Sequence, residues 1–416
     1  MSKVVIIGGG IIGLSSALYL NRSGWDVTVI DKGDFSDNCS YGNAGYVCPS
    51  HFVPLATPGI VKQGMKWMLN SKSPFYVQPR LSMSLIDWGL KFLRSATPEK
   101  VEQAAKPLLD FAVLSLAEFE SWNSIPGFDM AFEQKGLLEI FQTEAKRVQG
   151  IHHVEHAKEF GLDAEVLSME QIRQMEPGVN INALGGVYFK CDTHLYPQKL
   201  MSSLLNLLEQ SGVVFIKNEE VNGCKKVNGR ITHIVTDKNE YATDKVVLAA
   251  GSWSRELGKQ FGISLPLVPG RGYSVTLEDS PYKLNHPIVL MEGRVAITPM
   301  DGNKIRFGGT MEITSTKTPP RMSRVQGILD AVKNYFPDFD VPLPTMDKVW
   351  YGYRPCSADG LPYVGNAKSF NNLVIATGHA MVGLSLGAAT GKLVEEIVNE
   401  KKTSIDLNPF SPHRFD

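Results

Sequence analysis

The sequence predicts an α/β protein: a parallel-sheet domain assembled from discontinuous segments, with an inserted mixed β-sheet domain of α+β character. Three observations carry this. An apolar strand, a glycine turn and a helix follow one another over residues 4–23, and strands of buried type ending in glycine recur at 245–251 and 372–378. Between them, residues 266–313 are rich in β-branched residues and polar turns, the pattern of a mixed sheet. The length, 416 residues, suits two or three domains of ~100–200 residues each.

In chain order, VVII (residues 4–7) is the first strand, residues 11–23 a helix and DVTVID (26–31) the next strand, a β-α-β unit. Residues 51–80, rich in Pro, Gly, Ser and Met, read as loops with short helices. Residues 99–122 read as a long amphipathic helix that breaks or starts at Pro107. GLLEIFQT (136–143) and GGVYFKCD (185–192) are strands, residues 144–160 a polar helix, and Ser168 with Gln171 a capping pair. A helix over 197–210 leads to strand 213–218, a polar-turned meander at 221–243 and the strand at 245–251. A helix over 323–336 stops before Pro337, and a last helix spans 382–399. The resulting domains are 1–55, 194–262 and 350–416 for the parallel sheet, and 56–193 with 263–349 for the inserted mixed sheet.

Composition narrows the function. With 43% hydrophobic and 20% charged residues and a net charge of −1, the chain has no global field to recruit nucleic acid. Five cysteines, an odd number with no Cys-x-x-Cys, argue against a disulfide framework or a zinc ribbon and for a reducing, cytoplasmic setting. The amino-terminal apolar run is broken by Gly8, Gly9, Gly10 and Gly13 and shows no small-residue cleavage site, so it reads as strand and turn rather than leader. No other apolar stretch approaches the ~18 residues of a membrane span.

The stretch Gly8-Gly-Gly10-Ile11-Ile12-Gly13 fits G-x-G-x-x-G between a strand and a helix. Gly8 permits the tight turn, Gly10 lets a pyrophosphate approach the backbone, and Gly13 lets the helix close on the strand. The helix N-terminus offers free N–H groups and a positive dipole end. Asp31, at the end of the second strand and beside Lys32, stands where a carboxylate takes ribose hydroxyls and repels a 2′-phosphate. A Rossmann-like dinucleotide site follows. FAD and NAD both remain open on these residues. FAD is favoured because the stretch VIATGHAMVGLSLGAATGKL offers a second helix N-terminus, suited to a flavin that gains negative charge on reduction.

With these motifs in hand, the chain resembles the D-amino-acid oxidase-like flavoproteins, and among them the bacterial FAD-dependent D-amino-acid dehydrogenases. The resemblance runs nearly end to end through VVIIGGGIIGLSSALYLNRSGWDVTVIDK, CSYGNAG, TPGIVKQGMKWML, GLLEIF, VVLAAGSWS, PGRGYSVT, GYRPCSADGLPYVG and TGHAMVGLSLGAATGKL. It implies non-covalent FAD held by the first turn, by Ser40 and the Asn43-Ala44-Gly45 loop, by Val221, by Ala250, Gly251 and Trp253, and by Gly378, His379, Met381, Val382, Gly383 and Leu384. It also implies that Arg354, in an Arg-Pro-x-x-x-Asp-Gly motif, pairs with a substrate carboxylate. Tyr46 stands where the dehydrogenases usually carry Gln, and His51 where they carry a tyrosine. Met381 replaces the second arginine of glycine oxidases, which argues against that activity.

The implied reaction is oxidative deamination of a D-amino acid, a cyclic D-proline or D-hydroxyproline type included, by hydride transfer from Cα, with hydrolysis of the imine to a 2-oxo acid and ammonia. Arg354 is the expected carboxylate ligand, because a guanidinium fork fixes orientation as well as position. Tyr273 is expected to bond that carboxylate or line the pocket, and His51 to be a polar group on the substrate side. The alternatives are a sarcosine- or glycine-type amine oxidase using O₂ and a non-catalytic FAD-binding partner protein. The expected acceptor is a quinone or other respiratory-chain component, since the family's respiratory members are peripheral membrane enzymes. Residues 60–94, with Lys62, Lys66, Trp67, Met68, Lys72, Arg80, Lys91 and Arg94, form a candidate contact for the inner membrane face. HHVEH (152–156) matches His-x-x-Glu-His but lacks a third ligand and reads as a solvated helix face, so no metal site is expected.

Overall fold

A computed structural model describes residues 1–59 and 70–416. Lys62, Lys66, Trp67 and Met68 of the proposed membrane contact lie outside the described residues. One sheet has six strands in the order Tyr363–Asn366, Leu373–Thr377, Lys245–Leu248, Lys3–Ile7, Asp26–Ile30, Val214–Ile216. All pair in parallel except Tyr363–Asn366, which runs antiparallel at the edge. Lys3–Ile7 sits centrally because Val4, Val5, Ile6 and Ile7 are buried on both faces, as a parallel strand covered by layers on either side must be.

The helix Ile11–Arg22 packs on this sheet beside Gly387–Val398. A Cβ at Gly391 would stand 2.5 Å from the backbone of Ser15, and one at Gly387 would stand 2.7 Å from Ile11. These two glycines therefore serve close helix packing. The last helix begins at Gly387 rather than 382, because residues 379–386 first form a turn, with Val382 N–H donating to His379 O. The meander Val221–Val227, Arg230–Thr236, Glu240–Ala242 forms a separate three-stranded sheet, as its polar turns predict.

The inserted sheet has nine strands, including Leu137–Phe141, Gly185–Phe189, Leu267–Leu277, Val295–Pro299, Ile305–Ile313 and Trp350–Ser357. Trp350–Ser357 is its edge strand, antiparallel to Leu267–Leu277, although the sequence groups residues 350–416 with the nucleotide segments. Conversely, the helix Pro98–Asn123, within the 56–193 segment, docks on the nucleotide layer: Ser115 Oγ accepts from Ala389 N–H at 3.3 Å and Glu118 pairs with Lys392 at 2.8 Å. This helix runs unbroken through Pro107, contrary to the expected break. The carbonyl that Pro107 cannot satisfy belongs to Gln103, which is exposed, so water can take the lost bond. A further helix, Met83–Ser95, was not read from the sequence; it buries Trp88 and Phe92 and leaves Met83, Ile86, Leu90 and Leu93 exposed.

Candidate active site

A cleft of about 1500 Å³ lies between the two sheets. That exceeds the ~300–1,000 Å³ of a single ligand pocket and leaves room for a cofactor and a substrate together.

At the nucleotide end, Gly8 has φ +113°, and a Cβ there would stand 2.5 Å from Ala249 O. A Cβ on Gly13 would stand 1.8 Å from Gly8 O. Both glycines are demanded by packing. Gly10 differs: its φ is −77° and a Cβ would meet only Ser40 Oγ at 3.6 Å, an ordinary contact. The protein itself does not require glycine at 10; a ligand against the backbone does, which is the fit expected for a pyrophosphate. Asp31 accepts from Gly9 N–H at 2.6 Å and Gly33 N–H at 2.7 Å, which orients its carboxylate beside the turn. Ser40 Oγ accepts from Ile11 N–H at 3.0 Å, leaving the other first-turn N–H groups of the helix without intrahelical partners. Ile11, Ile12, Lys32, Val221, Ala250, Gly251 and Trp253 line the same end. Lys32 Nζ lies 3.5 Å over the Trp253 ring, and burial lowers its pKa.

In the middle of the cleft the Asn43-Ala44-Gly45 loop is clamped from the inserted sheet. Arg306 Nη1 donates to Asn43 O at 2.8 Å and Tyr41 O at 2.9 Å, and Thr298 Oγ1 donates to Ala44 O at 2.8 Å. Burial brings the Arg306 pKa down to about 10. Gly45 has φ +82°, and a Cβ would stand 2.1 Å from Leu195 O. Arg306 and Thr298 were missed from sequence, since nothing local marks residues more than 250 positions away as partners of this loop. Across the cleft, His379, Met381, Val382, Gly383 and Leu384 line the wall. His379 Nε2 bonds Thr390 Oγ1 at 3.0 Å, while Nδ1 is buried with no partner among the described residues. Burial holds its pKa down at about 3, so the ring is neutral and offers one nitrogen to a ligand. Gly13, Gly45 and Gly378 shape the backbone without lining the cleft; Gly378, at φ +82°, packs under Tyr363.

Arg354 enters from the inserted sheet. Its side chain folds over Gly272, where a Cβ would collide with the guanidinium at 2.3 Å, and Nη1 donates to Thr310 O at 2.5 Å. Thr310 has φ +66°, a conformation costing a β-branched residue ~1–3 kcal/mol, and it aims that carbonyl at the arginine. No carboxylate among the described residues pairs with Arg354, and burial lowers its pKa. Tyr273 also lines the cleft, but its hydroxyl donates to Glu312 at 2.9 Å and accepts from Arg321 N–H at 3.0 Å. Of its two expected roles, lining the pocket is the one this bonding leaves open. His51 lines the cleft beside Cys48 and Asp192. HHVEH is only partly a solvated face: His152 pairs with Glu155 at 3.3 Å on the surface, whereas His153 turns inward to Glu139 at 3.6 Å. The turn of the helix that carries His153 and His156 sets them against the cleft, which period counting without a partner surface could not show.

A glycine turn at one end of the cleft, beneath a Rossmann-like sheet, and an arginine at the other with no carboxylate partner among the described residues are the arrangement of a two-domain dinucleotide-dependent oxidoreductase. The family model for FAD dependent oxidoreductases (DAO) matches residues 3–397, and the chain belongs to that family, with its FAD-binding fold. It is 32% identical to the D-amino acid dehydrogenase of Vibrio atlanticus (strain LGP32), covering 99% of this chain and 100% of that one. It is 29% identical to the D-amino acid dehydrogenase of Granulibacter bethesdensis, covering 97% of each. Among solved structures, glycine oxidase from Geobacillus kaustophilus shares the fold with a TM-score of 0.78 at 24% identity over 100% of both chains.

Proposed function

We propose that this chain oxidises a D-amino acid, a cyclic one such as D-proline or D-hydroxyproline included, passing the electrons to a quinone or another respiratory-chain component. The observation that carries the proposal is Arg354: a half-buried cation facing the cleft, steadied by one carbonyl and left without an anion among the described residues. A substrate carboxylate completes its coordination, and the rigid fork then fixes which Cα–H faces the cofactor. FAD, held without a covalent bond by the Gly8–Gly13 turn, the Asn43-Ala44-Gly45 loop and the His379–Leu384 wall, would supply the two-electron sink for the Cα hydrogen. The substrate nitrogen lone pair becomes the second bond of the imine, and water then adds to give 2-oxo acid and ammonia. A cyclic substrate gives a cyclic imine. The apolar walls exclude water while the hydride moves.

The acceptor side has its own support. Met83, Ile86, Leu90 and Leu93 form an exposed apolar stripe on the helix Met83–Ser95, and Ile86, Leu90 and Leu93 reach the cleft. With Lys91 and Arg94 on the same helix, this face suits peripheral contact with an anionic membrane leaflet from which a quinone is drawn. No helix among the described residues is long and apolar enough to cross a membrane.

The test is anaerobic bleaching of the bound flavin by a panel of D-, L- and N-methyl amino acids. D-Amino acids are expected to bleach it. A spectrum that no amino acid alters would overturn the proposal, and stoichiometric peroxide in air would replace the quinone with O₂.

A further inference from the structure

We infer that Cys48, His51 and Asp192 form a binding site for one zinc-type divalent cation on the wall of the cleft. The proposal is independent of the substrate reading. One donor atom from each of the three residues lies within 4.8 Å of the other two, and they are the one such His, Cys and acid group among the described residues. In a tetrahedral zinc site with bonds of ~2.0–2.3 Å the donors stand ~3.3–3.8 Å apart, so closure needs a contraction of about 1.5 Å at most.

The frame that holds these donors is rigid. Strand Tyr46–Val47 pairs with Thr193–His194, which brings Cys48 across from Asp192. His51 N–H donates to Cys48 O at 3.2 Å, a tight turn that puts both side chains on one wall. Cys48 N–H is fixed by Ser385 Oγ at 3.1 Å, and Ser50 O is held by His153 Nε2 at 3.2 Å. Asp192 accepts from Ser50 N–H at 3.0 Å through Oδ1 and from Ser50 Oγ at 2.5 Å through Oδ2. A carboxylate oxygen has two lone pairs, so Oδ2 keeps one for a metal while Ser50 orients it, as metal-binding carboxylates are oriented.

Charge gives the second, independent reason. Asp192 is 0% exposed, and no lysine or arginine among the described residues pairs with it. A carboxylate so placed either takes a proton or takes a cation. One divalent cation bound by a Cys48 thiolate, the Asp192 carboxylate and neutral His51 makes a site of zero net charge, and binding displaces the thiol proton. Thiolate and imidazole select zinc-like ions over magnesium or calcium. Cys48 and His51 both line the cleft, so a fourth coordination position opens toward it and occupancy obstructs substrate. No local pattern marks the trio, because Asp192 lies 144 positions from Cys48 and meets it only through strand pairing.

The test uses chelator-treated holoenzyme titrated with zinc, read by bound-metal stoichiometry and X-ray absorption. Expected are one equivalent of zinc with one sulfur neighbour at ~2.3 Å, proton release on binding, and inhibition of amino-acid turnover that chelator reverses. Cys48→Ser is expected to remove the sulfur neighbour and weaken binding at least 100-fold. His51→Ala, at a partly exposed position, keeps the test decisive should Cys48→Ser fail to fold, and is expected to weaken binding at least 10-fold. Zinc that carries no sulfur neighbour, that survives both substitutions, or that is lost only on replacing His152 and His156 would overturn the assignment.

Discussion

Arg271 and Arg354 sit on adjacent antiparallel strands, yet the protein treats them oppositely. Gly270 pairs with Arg354 and Arg271 with Tyr353, so the two guanidiniums leave on opposite faces of the sheet. Arg271 is 0% exposed and makes four hydrogen bonds: Nε and Nη2 bond Glu312 Oε2 at 2.9 and 2.7 Å, Nη1 bonds Thr318 O, and Nη2 also bonds Pro319 O. Burial works to lower its pKa, the Glu312 bond together with the charges of Glu312 and the neighbouring tyrosines outweighs that, and the net shift is upward. Arg354 has one carbonyl and, among the described residues, no carboxylate, and burial shifts its pKa down. A buried cation with its anion inside the protein holds a fold together; one that faces a cleft without an anion is poised for an anion from outside. The same length of sheet thus contains a structural charge and a ligand-binding one, and hydrogen-bond count separates them where residue type does not.

Four substitutions would break or sharpen that contrast. Arg271→Met removes the two-bond partner of buried Glu312, leaving Arg321 at 3.5 Å and the Tyr273 hydroxyl, and is expected to cost ~3 kcal/mol of stability, read by chemical denaturation. Arg354→Met strands no protein charge, so its stability is expected within about 1 kcal/mol of wild type. Its kcat/KM is expected to fall ~30- to 1,000-fold, the ~2–4 kcal/mol of charge-assisted bonds to a carboxylate, with flavin content retained. Equal destabilisation by the two, or near-normal turnover in Arg354→Met, would erase the distinction. The nucleotide turn allows the same comparison among glycines. Gly13→Ala must displace the carbonyl of Gly8 and is expected to destabilise the protein by ~1–3 kcal/mol. Gly10→Ala, in an ordinary backbone conformation, is expected to leave the melting temperature of the apoprotein nearly unchanged and weaken FAD binding ~10-fold.

How legible each part was in the sequence follows from how far its partners are spread. The turn Gly8–Gly13 with Asp31 is a local device within one β-α-β unit, and the structure builds it as read. The meander, the buried strands and the helix Pro197–Gln210 are likewise set by local pattern. Arg354 was found because its neighbours resemble a family motif, but its lack of an anion is a property of the folded sheet. The clamp on Asn43 by Arg306 spans 263 positions, and the buried Glu139–His153 pair joins a strand to a helix across the cleft wall. Such contacts leave no periodicity behind. The start of the last helix was misplaced because its glycines read as a helix N-terminus, whereas packing against Ile11 and Ser15 is what Gly387 and Gly391 provide.

The Glu139–His153 pair is the mildest test, because here a cleft-facing cation does have its anion. Burial works against charge on both groups, yet their mutual attraction prevails: the His153 pKa is raised and the Glu139 pKa lowered. The raised imidazole contributes stability that is fully present below its unfolded value of ~6.5 and fades as pH rises through its folded value. The lowered carboxyl contributes stability present above its unfolded value of ~4.3 and lost as pH falls through its folded value. The pair therefore stabilises most between about pH 4.3 and 6.5, by ~1 kcal/mol given a separation of 3.6 Å and side chains 21% and 10% exposed. Glu139→Gln should lose that increment at pH 5.5 and little of it at pH 9, measured by urea denaturation at both. A difference from wild type that stays flat across the range would mean His153 is held by Ser50 O alone, and that even a paired cation on this wall is a hydrogen-bond donor first and a charge second.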